Sequence, residues 1–256
     1  MGRFIVAGSV SPDANHVDVN MDDLIVFRGD YDTGDLTQWA QVHTVDKVGD
    51  TTGYCTYSIC VQNGGPGHET AARFEVREGD TNPSVGGERA EVRAGSWHDN
   101  SKSAYFRDGD EVSFEFSIKF DESWVNPRHG PNSWFILYQW FSDGGLISGA
   151  PLTLMVTHDD KLQVGSTQEM VSYRKTIGPI NPGQWETYRM NVRFSQSDAG
   201  YVEVWRNGEL VVPKHFRPTL EPGRPVVFLK QGIYRDAGST GTQIVWHDDL
   251  VVRRHN

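Results

Sequence analysis

Six side chains on three short segments carry the chemistry this sequence offers. They are Arg89, Glu91 and Arg93 on the first, Gln139 on the second, and Lys230 and Tyr234 on the third. In an extended strand, alternate side chains share a face. Arg89, Glu91 and Arg93 then point one way from the run Glu88 to Ala94, while Ala90, Val92 and Ala94 point the other. Between Trp134 and Phe141, the same parity groups Leu137, Gln139 and Phe141 opposite Ile136, Tyr138 and Trp140. Between Val227 and Arg235 it groups Phe228, Lys230, Gly232 and Tyr234 opposite Leu229, Gln231 and Ile233. If the three strands share a sheet, one surface gathers all six residues into a locally positive groove suited to an acidic sugar chain. An Arg-x-Glu-x-Arg strand is also what an ordinary solvated face looks like, with cross-strand ion pairs of little individual value.

The elements that must position these residues are strands. Helical periodicity is nearly absent, and short alternating runs rich in Val, Ile, Phe, Tyr and Trp recur between Gly, Asn and Asp pairs. Glu111 to Phe120, Leu152 to Val156 and Trp185 to Phe194 are examples. Asn207-Gly208 between Tyr201–Arg206 and Glu209–Val212 is a strong hairpin signal, because both residues tolerate positive φ. Asp159-Asp160 predicts a second hairpin. Many short strands without intervening helices indicate a sandwich or jelly roll. Residues 1–23 alternate only briefly and read as an N-terminal arm, or as a segment attaching the domain to a larger assembly; residues 24–256 read as a single domain.

The 256 residues hold 24 Lys+Arg against 34 Asp+Glu, a net charge of −10. That excess argues against a nucleic-acid partner, whose phosphates need a basic footprint. No run approaches the length of a membrane span, which excludes membrane insertion by a helix. The first eight residues lack the apolar core of a secretory leader, so the chain reads as cytoplasmic, already processed, or exported by another route such as a virion. Of these, an extracellular or virion-associated location without a signal peptide in this chain is the expectation. Cys55 and Cys60, if they share one strand, lie on opposite faces. Two buried free thiols are therefore expected, a mutual disulfide requiring a turn or bulge.

Taken in order, several segments resemble the heparin-lyase-I-like polysaccharide lyases, a group that includes glucuronan lyases and is akin to the jelly-roll alginate lyases. They are Phe27 to Trp39, Ala72 to Asp80, Gly87 to Arg93, Tyr138 to Trp140, Trp185, the Tyr201 to Val212 hairpin, Leu229 to Arg235, and Trp246 to Leu250. The resemblance spans roughly residues 24–254. It implies an all-β, concanavalin-like jelly-roll sandwich of two antiparallel sheets. It also implies β-elimination at a uronic acid: a base takes the C5 proton and the C4 oxygen leaves protonated. The carboxylate beside C5 must be neutralised and the developing enediolate stabilised. The resemblance places Tyr234, Arg89, Gln139 and Lys230 in the catalytic set, with Tyr234 as base, acid or both if Lys230 or an arginine lowers its pKa. Glu91, Arg93, Arg73, Arg77, His98, His129 and Phe141 are the expected substrate-binding and supporting residues.

One position departs from the family pattern. Two residues after the glutamine, where the family presents a histidine, stands Phe141. His68, His98 and His129 are the candidates to replace it. Asp30, Asp32 and Asp248 are expected to hold a structural Ca²⁺ where first and last strands meet, although Asp also favours ordinary turns. Two functions follow: a lyase acting on an acidic polysaccharide, or a catalytically silent glycan-binding jelly roll such as a phage tail receptor-binding protein or adhesin. A glycoside hydrolase is disfavoured, since no strand bears the alternating acidic pair that reaction needs.

Overall fold

A computed structural model describes residues 24–84, 86–95, 104–127, 130, 133–142, 149–167 and 173–255. Among these the chain forms strands and no helix. In chain order they begin β1 (Leu24–Gly29), β2 (Gln41–His43), β3 (Val48–Gly49), β4 (Ile59–Gln62), β5 (Ala71–Val76) and β6 (Glu88–Arg93). Next come β7 (Tyr105–Arg107), β8 (Glu111–Phe120), β9 (Phe135–Phe141), β10 (Leu152–Val156), β11 (Lys161–Gly165) and β12 (Arg174–Pro179). The last are β13 (Trp185–Arg193), β14 (Tyr201–Arg206), β15 (Glu209–Phe216), β16 (Val226–Arg235) and β17 (Gln243–His255).

All pairings between these strands are antiparallel, and they make two sheets. One runs β15-β14-β13-β8-β17-β5-β4, with β1 also on β17; the other runs β12-β11-β10-β9-β16-β6-β2-β3, with β7 also on β16. This is the two-sheet jelly-roll sandwich expected from the sequence. Alternation explains how the sheets stack. In β8, Val112, Phe114, Phe116, Ile118 and Phe120 are buried between the layers. Across the gap they meet residues such as Trp140 and Tyr138, with ring centroids 5.0 Å apart for Phe114 and Trp140 and 4.5 Å for Phe116 and Tyr138. Burying each such side chain contributes about 2–3 kcal/mol.

Both predicted hairpins form. Asn207 (φ 50°) turns β14 into β15, and Asp160 (φ 53°) turns β10 into β11. The two cysteines correct the expectation of free thiols: Cys55 and Cys60 are joined in a disulfide, Cα–Cα 4.4 Å. Cys55 lies outside β4, just before a turn closed by Thr56 N–H donating to the Ile59 carbonyl, so strand parity does not apply to the pair. The proposed arm, residues 1–23, lies outside the described residues.

Candidate active site

The three segments predicted to share a face are neighbours in one sheet, β9-β16-β6. Register sets Arg93 opposite Lys230 and Lys230 opposite Gln139, so three polar side chains stand in one row across the strands. Four residues along, Arg89 stands opposite Tyr234. Their outward face borders a cavity of about 620 Å³, lined by Arg89, Arg93, Gln139, Phe141, Lys230 and Tyr234, with His43, Trp134, Ile136 and Phe228 completing much of its wall.

One feature of the face differs from strand parity. The register of β9 slips against β10 at Leu154/Met155 and against β16 between Gln231 and Tyr234. Because of this bulge, Ile136 lines the cavity and Leu137 joins the core, the reverse of the expectation. Gly232 sits at the slip with φ 137°, where a Cβ would collide with the Ala90 carbonyl oxygen. Glycine lets β16 run close to β6 between its two polar residues, Lys230 and Tyr234.

Glu91 is the electrostatic hub. It is 2% exposed, and its Oε2 accepts hydrogen bonds from Lys230 Nζ at 2.7 Å and from an Arg89 guanidinium nitrogen at 3.1 Å. Gln139 Nε2 donates to its Oε1. Burial opposes the charge of Glu91, but Lys230 and Arg89 outweigh it and hold the carboxyl below its ordinary value. Burial likewise pushes Lys230 down to about 8, with Glu91 working against the fall. Lys230 and Glu91 therefore keep each other charged in a place where neither would be charged alone. With its carboxylate engaged by Lys230, Arg89 and Gln139, Glu91 holds these three side chains in place.

Aromatic rings frame these charges. The Arg89 guanidinium lies 3.7 Å from the Tyr234 ring centroid, and Arg93 lies 4.3 Å from that of Phe228. Trp134 packs edge-on against Tyr234 at 4.2 Å, and Phe141 packs edge-on against Phe228 at 6.1 Å. Burial raises the Tyr234 phenol above its ordinary value, and Arg89 offsets only part of that rise. Tyr234 in the resting protein is thus a neutral phenol, not the lowered-pKa group expected.

Other predicted residues fall elsewhere. Arg73 and Arg77 are corrected from the substrate-binding set. Arg73 lies on β5 in the opposite sheet, and both guanidinia pair with Glu75, Arg77 at 2.5 Å. His68 is also remote from the cavity, stacked on Trp185 at 3.9 Å with Nδ1 2.8 Å from Asp248. His98 and His129 lie outside the described residues.

The calcium ligands do not gather as expected. Asp30 is engaged by Arg28 at 3.2 Å and by Gln38 at 2.7 Å, and Asp32 meets Thr70 at 3.5 Å. What assembles instead is His68, Asp248 and Asp249, each offering one ligand atom, all within 4.8 Å of one another. A set that includes an imidazole nitrogen does not match calcium, which takes oxygen ligands.

Among the cavity residues that sequence reasoning missed, His43 is the one with an ionisable side chain besides the predicted set. It ends β2, which pairs with β6 so that His43 stands opposite Glu91. The alternation Gln41-Val42-His43 marks a strand, but nothing local says that this strand borders the arginine strand.

Comparison with known proteins agrees with this architecture. A family model described as polysaccharide lyase matches residues 31–251. No curated protein sequence matches the chain significantly. Among solved structures, the endo-β-1,4-glucuronan lyase of the fungus Trichoderma reesei is similar at 17% identity and TM-score 0.60, covering 86% of this chain and 92% of that one. The alginate lyase of a Corynebacterium species is similar at 14% identity and TM-score 0.58, covering 88% and 96%. A family 7 alginate lyase in complex with its substrate is similar at 18% identity and TM-score 0.56, covering 80% and 84%. At such identities the structural likeness is one of fold; the family match over most of the length is what assigns the chain, which belongs to the polysaccharide lyase family.

Proposed function

We propose that the protein cleaves a uronate-containing polysaccharide by β-elimination in this cavity. The observation that carries the reading is the buried row Arg93–Lys230–Gln139, with Arg89 and Tyr234 beside it. Arg89, Arg93 and Lys230 supply positive charge for a sugar carboxylate, and Gln139 supplies an amide donor. Neutralising that carboxylate acidifies the C5 proton and stabilises the enediolate that forms when the proton leaves. Tyr234, once deprotonated, takes the C5 proton. The electron pair then forms the C4=C5 double bond, the C4–O bond breaks, and the regenerated phenol returns its proton to the leaving oxygen. One group acts as base and then as acid, so the sequence closes without the histidine that Phe141 replaces. Phe141 and Phe228 offer an apolar wall to the sugar rings.

An acidic polysaccharide is accordingly the partner proposed. The Cys55–Cys60 disulfide supports an extracellular setting, because such bonds persist in oxidising surroundings. Incubation with glucuronan, polymannuronate and polyguluronate should generate the ultraviolet absorbance of a C4=C5 double bond with at least one polymer. Absence of that absorbance with every polymer, alongside measurable binding, would overturn the lyase reading in favour of a glycan-binding jelly roll.

A further inference from the structure

His43 is 7% exposed, lines the cavity, and has no hydrogen-bond partner at either ring nitrogen among the described residues. Buried polar atoms nearly always have partners, and those left without one in a cavity wall are commonly waiting for a ligand or ordered water. His43 differs from the rest of the polar wall, since Lys230, Gln139 and Arg89 all hold Glu91. Its backbone neighbour across the strands is that same Glu91.

The charge of the ring follows from what surrounds it. Burial, joined by the positive charges of Lys230, Arg93 and Arg89 and opposed by Glu91, holds the imidazole down to about 3. The ring is therefore neutral at ordinary pH and presents one N–H donor and one bare acceptor nitrogen. The three cations have only protons to donate. A sugar hydroxyl needs an acceptor as well, and His43 provides one.

We propose that His43 is a substrate-binding residue of this cavity. Its N–H donates to an oxygen of the uronate chain, and its bare nitrogen accepts the proton of a sugar hydroxyl. It thus returns an imidazole to the site from β2, after β9 has given up that function at Phe141. The identity of the ligand rests on the lyase reading; the contact itself rests on the geometry. The row His43 stands in runs through Glu91 to Gly232, whereas Tyr234 stands opposite Arg89, so the two rings are assigned different parts of the site.

Steady-state kinetics and ring NMR together test this. His43→Ala should raise KM about tenfold while kcat changes less than about threefold, the effect of losing contacts that bind substrate and transition state alike. His43→Gln, which keeps an N–H and an acceptor, should recover most of the loss. In the Tyr234→Phe protein, the ¹⁵N resonances of the His43 ring should shift on titration with a tetrasaccharide of glucuronate or mannuronate. A KM within twofold of the parent in His43→Ala, or ring resonances unmoved at saturation, would overturn the assignment. If His43→Ala fails to fold, His43→Gln and the ring shifts decide. If no polymer is cleaved, the same titration of the unaltered protein still decides: shifted resonances uphold the contact while the lyase reading falls, and unmoved ones overturn both.

Discussion

The guanidinium of Arg89 lies over the ring of Tyr234, 3.7 Å from its centroid, while a nitrogen of the same group holds Glu91 at 3.1 Å. One side chain therefore links the proposed proton carrier to the charge hub. Burial raises the Tyr234 phenol and Arg89 limits the rise. Elimination needs the phenolate, whose population grows with pH, so kcat/KM should climb on the alkaline side. Removing the positive charge in Arg89→Gln lets the phenol rise further and should move that limb to higher pH. Tyr234→Phe should cost roughly 10³-fold in kcat/KM. A pH–rate profile of each variant checks the pair, and an alkaline limb unmoved in Arg89→Gln would separate Arg89 from Tyr234.

Glu91→Gln strips the counter-charge from a fully buried lysine. Lys230 already stands at about 8, and without Glu91 burial drives it lower. Breaking a buried pair costs about 3–5 kcal/mol. Urea unfolding should show that loss, and kcat/KM should fall as Lys230 becomes neutral. The sign with pH is also set. Glu91 is held below its ordinary value, so its contribution to stability is present above the unfolded carboxyl value and is lost as pH falls through the folded one. The parent should lose stability with acid more steeply than Glu91→Gln, as read by melting at several pH values.

Gly87 packs against Tyr234, and a Cβ there would collide with the phenol ring. Its φ is 62°, a conformation that alanine adopts only with strain. Gly87→Ala should therefore displace the ring. Activity is expected to drop by at least about tenfold, a small misplacement of a reacting group being costly. Oligosaccharide affinity should change far less. Equal losses in affinity and turnover would show that Gly87 supports the cavity wall rather than the tyrosine.

The Cys55–Cys60 bond should leave no thiol to titrate in the unfolded protein until reductant is added, and two afterwards. Its loop is short, so Cys55→Ser should lower stability by about 2 kcal/mol. Thiol titration and chemical denaturation check the two statements separately.

Much of this site was legible along the chain. The alternation of Arg89, Glu91 and Arg93, and of Lys230 and Tyr234, is local. A strand puts every second residue on one side whatever its neighbours are, so these parities stood in the structure. Turn chemistry is equally local: Asn207-Gly208 and Asp159-Asp160 set both hairpins. The tertiary structure alone decided what lies beside what. Pairing of β2 with β6 brought His43 to Glu91, a relationship between residues with no common local pattern. The slip of β9 against its neighbours exchanged Ile136 for Leu137 on the cavity face, because one inserted residue inverts the parity before it. Arg73 and Arg77 repeat the alternation seen at Arg89 and Arg93, yet β5 entered the other sheet. Spacing fixes the face a side chain takes on its own strand; hydrogen bonding between distant strands fixes which sheet, which row, and hence which residues can meet one sugar.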